Sequence, residues 1–258
     1  MEKKEYEKMF QLEETHWWFS SKRALVLELL KRYSQGRTIM KILDVGCGAG
    51  ITLHELQRHG DAYGIDLSPE AIFFSRKRNM KNLVQASVTH LPFADKSFDA
   101  VTCLDLIYHR NVEDDEAALS EIARVCRTGA ILILTDSALQ ILWSRHDQTM
   151  HAARRYTTRQ IRQKIENAGF SILRLSYTNS ILLPVSFLLR KIDLLHTGAP
   201  LASVNPVHPV LNRLLLLVSC LETFALRYFN FPIGSSILCI AEKEESVQKD
   251  TLKNPHTT

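Results

Sequence analysis

The sequence lacks the cysteine pattern of a secreted or zinc-bound protein. Its five cysteines, at 47, 103, 126, 220 and 239 of 258 residues, are odd in number and widely scattered, giving neither a disulfide framework nor a zinc spacing. A reducing, cytoplasmic setting fits. It also lacks long apolar runs: no uninterrupted stretch reaches the roughly 20 residues of a membrane span. The charged start MEKKEYEKMF has no apolar region of the secretory type, so no signal peptide is expected. Nor is there a block of one charge. The formal net charge of +4 is spread along the chain, which permits nucleic acid as a partner without requiring it. Low-complexity tracts and internal repeats are missing too, and with 45% hydrophobic residues the chain can bury a full core.

What is there alternates. Short apolar runs (KILDVG, AYGID, SFDAVTCL, AILILTD) are separated by amphipathic ones (ITLHELQRHG, SPEAIFFSRKRN, EDDEAALSEIARVC). Strand and helix periods in turn predict an α/β fold: a Rossmann-like, doubly wound sheet, mostly parallel, with helices on both faces. Ser68, Pro69 and Glu70 read as the cap, first-turn proline and first-turn acid of a helix, and Gly60 as the residue that ends the helix before it.

The stretch ILDVGCGAG, residues 42–50, marks where the first strand hands over to the first helix, the place where open α/β sheets bind ligands. Its glycines permit a tight turn and close approach of backbone to ligand. A nucleoside-triphosphate loop would end Gly-Lys-Ser or Gly-Lys-Thr, but this one ends Gly50-Ile51-Thr52. The dinucleotide fingerprint needs glycine at 51, where Ile51 stands. Asp66 closes the next strand at a distance suited to ribose hydroxyls. An adenosine-containing ligand without a pyrophosphate satisfies both facts.

On ILDVGCGAG, YGIDLSPEAI, LPFADKSFDAVTC and LSEIARVCRTGAILIL, in that order and covering about 41–135, the sequence resembles the class I S-adenosylmethionine-dependent methyltransferases. The resemblance implies S-adenosylmethionine as cofactor. It places Asp44, Gly46, Cys47, Gly48 and Gly50 along the methionine part, Asp66 on the ribose and Leu67 against the adenine, with Ser87, Val88 and Leu104 completing the pocket. Two departures stand out: Ser87 occupies a position where the family often has aspartate, and Thr128-Gly129-Ala130 replaces the usual Pro-Gly-Gly before the fifth strand. HWWFSSKR, LDLIYHR, SRHDQTMHAARRYT and NPVHPVLNRLL look like a type-11-like bacterial branch of small-molecule methyltransferases.

The resemblance implies about seven strands with an antiparallel last one, built from FSILRLSY and SSILCIAEK, and a helical C-terminal insertion between them. The expected organisation is a single domain over 1–243: an N-terminal helical cap (1–36), a cofactor core (37–136), an apolar insertion or lid (178–233), and then a polar tail (244–258) expected to be disordered. The insertion's apolar helices are broken by Arg190, Lys191, Arg213 and Glu222, and are too short and too charged to span a bilayer. They could cap the sheet as a lid, also touch a membrane or a lipid tail, or form a dimer face.

For chemistry, His109 with Tyr108 beside it lies past the fourth strand, and His146 with Asp147 past the fifth; both histidines are candidate general bases. Trp17 and Trp18, in an aromatic plug ahead of the first amphipathic helix, are candidates for the acceptor pocket, together with Asp147, His151, Arg155 and Tyr156. Arg154, Arg155, Arg159, Arg162 and Lys164 read first as a solvated helical face. The sequence thus predicts methyl transfer to an oxygen or carbon of a small, partly apolar acceptor: a lipid, an isoprenoid or quinone, or an envelope-glycan intermediate. No metal or nucleic acid is expected, and peripheral contact with the inner membrane face is open. An RNA or protein methyltransferase and a non-catalytic cofactor-binding protein are the alternatives.

Overall fold

The computed structural model describes residues 3–34, 40–195 and 205–245. Two helices, α1 (Lys3–Leu12) and α2 (Trp17–Tyr33), precede the alternating core of β1 (Lys41–Val45), α3 (Ile51–Leu56), β2 (Asp61–Asp66), α4 (Pro69–Lys77), β3 (Leu83–Gln85), β4 (Phe98–Leu104), α5 (Asp115–Val125) and β5 (Cys126–Ser137). After β5 come α6 (Arg145–Thr149), α7 (Thr158–Asn167), β6 (Phe170–Thr178), α8 (Leu183–Leu195), α9 (Pro209–Ala225) and β7 (Ser236–Lys243). The seven strands lie in the order β3-β2-β1-β4-β5-β7-β6. Neighbours from β3 to β5 pair in parallel, and β7 is antiparallel to both β5 and β6. The strand order reverses between β1 and β4, which fixes the ligand crevice at their carboxyl ends.

Because strand side chains alternate between faces, the central strands feed two cores. Ile42, Ile131, Ile133, Leu238 and Ile240 face Leu25, Val26, Leu29 and Leu30 of α2. Leu43, Val101, Leu132 and Cys239 face Leu119, Ile122 and Ile161 of α5 and α7. Both faces are covered, so the strands need no polar alternation. The helix starts are capped as the sequence indicates: Ser68 accepts from Ala71 N–H at α4, and Thr157 with Gln160 forms a capping box at α7.

Three local expectations are corrected. Gly60 does not end α3, which stops at Leu56; a Cβ at Gly60 would sit 2.0 Å from the Met40 carbonyl oxygen, so glycine is there for close approach. Trp17, Trp18 and Phe19 are not ahead of the first amphipathic helix: they form the first turn of α2, behind α1, with His16 accepting from Trp18 N–H as its cap. The basic set is not one solvated face. Arg159 and Arg162 are exposed, but Arg155 is buried against Asp147, and Arg154 and Lys164 pair with Asp115. Thr128-Gly129-Ala130 lies within β5, where Gly129 takes φ 75. Of the tail expected to be disordered, 246–258 lies outside the described residues.

Candidate active site

The site begins where β1 stops. Gly46, Gly48 and Gly50 all have positive φ, at 77, 56 and 88, so the chain turns three times where other residues would be strained. The turn is pinned from beneath. Gly46 and Cys47 donate their N–H groups to the Ile65 carbonyl at 2.8 and 2.9 Å, Gly48 N–H donates to Asp66 Oδ2 at 3.0 Å, and Ser68 N–H donates to Asp66 Oδ1 at 2.9 Å. Asp44, at the buried end of β1, accepts from Thr102 Oγ1 at 2.6 Å. Burial pushes its carboxyl up to about 6, against the Thr102 hydrogen bond, and burial raises Asp66 as well. A cationic ligand in this cleft would relieve the cost of ionising both. Added Cβ atoms on Gly46 and Gly48 would meet Leu106 at 3.0 Å and Met9 at 3.1 Å, so the cleft is only as open as glycine leaves it. Charge and shape therefore both fit a bulky cationic nucleoside.

From this loop a cavity of about 1160 Å³ extends past the ends of β2, β4 and β5 to α6, α8 and the start of α9. Of the expected cofactor residues, Asp44, Gly46, Cys47, Gly48, Asp66, Leu67, Ser87, Val88 and Leu104 line it. Gly50 does not. It opens α3 and is needed for packing, since a Cβ there would lie 2.6 Å from Ser75 Oγ. Ser87 Oγ is engaged with Thr89, at 2.8 Å from its Oγ1. The Cys47 thiol is raised well above its ordinary value by burial, which removes it as a nucleophile.

The roof comes from the N-terminal helices, through Tyr6 and Met9 of α1 and Trp17 and Trp18 of α2. The two tryptophans meet edge to face at 5.6 Å, and the Lys22 ammonium lies 4.8 Å from the Trp18 ring centre. Lys22 also pairs with Asp105, which sits just past β4 at φ 52 and lines the cavity. Sequence reasoning missed Tyr6, Met9, Lys22, Asp105 and Arg190. Asp105 carried one signal, an acid at a strand's carboxyl end, and Lys22 stood within HWWFSSKR without being singled out; Tyr6, Met9 and Arg190 are placed by segments outside the motifs.

Tyr108, His109 and His146 all line the cavity. Tyr108 is buried and its phenol is held well above its ordinary value by that burial, so it stays protonated. Burial pushes both histidines down to about 4, which leaves them neutral at pH 7. They differ in hydrogen bonding. His109 Nδ1 accepts from Asn111 N–H at 3.1 Å, which puts the neutral ring's proton on Nε2. His146 Nδ1 is buried and has no hydrogen-bond partner among the described residues.

Asp147 lines the cavity but is fully engaged. Its Oδ1 accepts from Arg155 at 2.7 Å, and its Oδ2 accepts from Arg190 at 2.9 Å and from Ser144 N–H at 2.8 Å. It joins α6, the approach to α7, and α8, so its carboxylate structures the loop beside His146. Arg155 also reaches the cavity, held by Asp147 and the Ala138 carbonyl. His151 and Tyr156 are outside the lining. His151 stacks on His109 at 5.9 Å, and the buried Tyr156 hydroxyl donates to Asp115 Oδ2 at 2.6 Å.

Residues 43–134 match the family model described as "Methyltransferase domain". The chain is 34% identical over 121 residues to the O-methyltransferase rstn1 of Aspergillus nomiae, covering 43% of this chain and 52% of that protein. It is 35% identical over 102 residues to the ubiquinone biosynthesis O-methyltransferase of Xanthomonas oryzae pv. oryzae, covering 37% and 42%. The chain thus spans about half or less of the length of these relatives. A solved S-adenosylmethionine-dependent methyltransferase of Thermotoga maritima superposes with a TM-score of 0.58 at 18% identity, over 93% of this chain and 96% of that one, which shows the shared fold. Residues 43–134 therefore match a methyltransferase domain, set in a fold that the chain shares with that solved methyltransferase over nearly its whole length.

Proposed function

We propose that this chain transfers the methyl group of S-adenosylmethionine to an oxygen or carbon of a small, partly apolar acceptor. The supporting observation is that one cavity joins the glycine loop to the histidines and the lid. Its volume of about 1160 Å³ exceeds the roughly 300–1,000 Å³ of a single drug-sized pocket, leaving room for donor and acceptor together. Asp44, Asp66 and the glycine loop hold the donor, whose sulfonium supplies an activated methyl group. The other residues then have two tasks.

The first is alignment and exclusion of water by Trp17, Trp18, Tyr6 and the α8 lid. Holding two reactants in attack geometry is worth roughly 7–11 kcal/mol. The second is removal of a proton when the acceptor is a hydroxyl, which adds about 10²- to 10⁴-fold. His146 fits this task better than His109, whose Nδ1 lone pair is already taken. Quinone precursors, other isoprenoids and lipids suit Leu189 and Leu211, the apolar side chains that α8 and α9 bring to the cavity, and the relative named for ubiquinone biosynthesis supports that class. Such an acceptor favours peripheral work at the inner membrane face. The RNA or protein alternative gains no support, because Arg154, Arg155 and Lys164 are held by Asp115 and Asp147.

Calorimetric titration with the donor and its demethylated product, followed by mass analysis of host lipid extracts for a gain of one CH₂, tests this reading. Binding of both ligands and a shifted lipid species are expected. A flat titration overturns it, and binding without any methylated product leaves the non-catalytic alternative in its place.

A further inference from the structure

The helices α8 and α9 are inside out. In α8, Ser186, Arg190 and Asp193, spaced four and three apart, turn toward the protein, while Val185, Leu188 and Ile192 are 58, 59 and 44% exposed. In α9, Asn212, Ser219 and Glu222 turn inward, while Val210, Leu214, Leu217, Leu221 and Phe224 are each more than half exposed. A surface helix ordinarily does the reverse. The inward polar groups fix this rotation. Arg190 holds Asp147, Glu222 Oε2 accepts from Ile181 N–H at 3.0 Å, and Asn212 Oδ1 accepts from Trp17 N–H at 2.8 Å. Of the nineteen large apolar side chains exposed among the described residues, fifteen lie between 181 and 233, far more than scattered surface residues account for.

We propose that the outward faces of α8 and α9 dock on the surface of an anionic lipid bilayer, delivering an acceptor with an apolar tail to the cavity. The delivery step rests on the acceptor class proposed above; the docking surface does not. Three observations select a lipid surface. The exposed apolar face is continuous with the site, because Leu189 and Leu211 are both exposed and both line the cavity. The outward charges on the two helices, Lys191 and Arg213, are basic, while their acids, Asp193 and Glu222, are buried. That pattern complements anionic headgroups. It opposes a two-fold contact with a second copy, in which these cations would meet a face offering them no acid. Among the described residues no helix is long and apolar enough to cross a membrane, so docking is in the interface plane.

The test is sedimentation of the full chain with phosphatidylcholine vesicles, with and without phosphatidylglycerol. Binding to the anionic vesicles is expected, weakened by added salt. Lys191→Ala and Arg213→Ala should each weaken it about fivefold, and Leu217→Glu should weaken it at least about tenfold. Titration with S-adenosylmethionine should be unchanged in all three variants, which also shows that they fold. No sedimentation with either vesicle overturns the docking surface. So does a lipid-free dimer, seen by light scattering, that Leu217→Glu dissociates. Vesicle binding alongside a flat cofactor titration sustains the docking surface while removing the proposed function.

Discussion

The two halves of the cavity are built differently. At the cofactor end, backbone does the work: three positive-φ glycines and N–H groups fastened to Asp66 and Ile65, all within 43–68. At the acceptor end, side chains from distant segments meet, Lys22 with Asp105 and Asp147 with Arg155 and Arg190, and the Asn212 side chain accepts from the Trp17 N–H. A contiguous turn can hold one ligand with few alternatives in sequence. An assembly of remote side chains can be re-tailored to a new acceptor without disturbing the turn.

The sharpest way to break this division is to substitute on each side and measure both ligands. His146→Gln should reduce turnover about 10²- to 10⁴-fold while leaving cofactor affinity within about twofold; an equal loss of both would show that the halves are not separable. Asp66→Ala should weaken the cofactor by at least about 100-fold, since the loop's two N–H groups lose a charged acceptor worth about 1.5–3 kcal/mol each that holds it in shape, and a calorimetric titration reads this directly. Acidity probes the same end. Because Asp44 must be ionised beside a cation and is pushed up to about 6, cofactor affinity should fall about tenfold for each pH unit lowered below that value, and Asp44→Asn should flatten the dependence.

The glycine-loop end of the cavity was legible because its physics is local. Asp44, Gly46, Gly48 and Asp66 sit within one strand, turn and strand, where spacing in sequence is nearly spacing in space. Gly50 and Gly60 show the limit: both are glycines for close packing, against Ser75 and Met40, partners that no turn signal names. The acceptor end resisted for the opposite reason. Nothing about RHDQ shows that Asp147 will be claimed by an arginine eight residues on and by another in a lid helix 43 residues on. Period-3.6 reasoning marked α8 and α9 as apolar, yet it assumes the apolar side faces in. Buried polar tethers reversed that, and tethers lie outside the pattern.

Two smaller effects sharpen the contrast on the acceptor side. Arg190→Ala leaves Asp147 still held by Arg155 and the Ser144 N–H, so the loss should be that of one charged hydrogen bond, about 1–2 kcal/mol of stability and a few degrees in melting temperature, with cofactor affinity unchanged. Protonating His146 in acid costs stability, because its pKa falls from about 6.5 unfolded to about 4 folded: its contribution is complete above 6.5 and lost as pH falls through 4. His146→Gln should therefore show a shallower fall in melting temperature between pH 6.5 and 4 than the parent chain.

The pairing of β5 with β7 rather than β6 has a consequence for synthesis. As the chain leaves the ribosome, the edge of β5 stays open until residues 236–243 emerge, roughly a hundred residues after β5 itself. Until then the hydrogen-bonding groups along 131–137 are an adhesive border for other nascent chains. This exposed interval comes after the strands around the glycine loop have been made, and the final strand is the clasp that ends it.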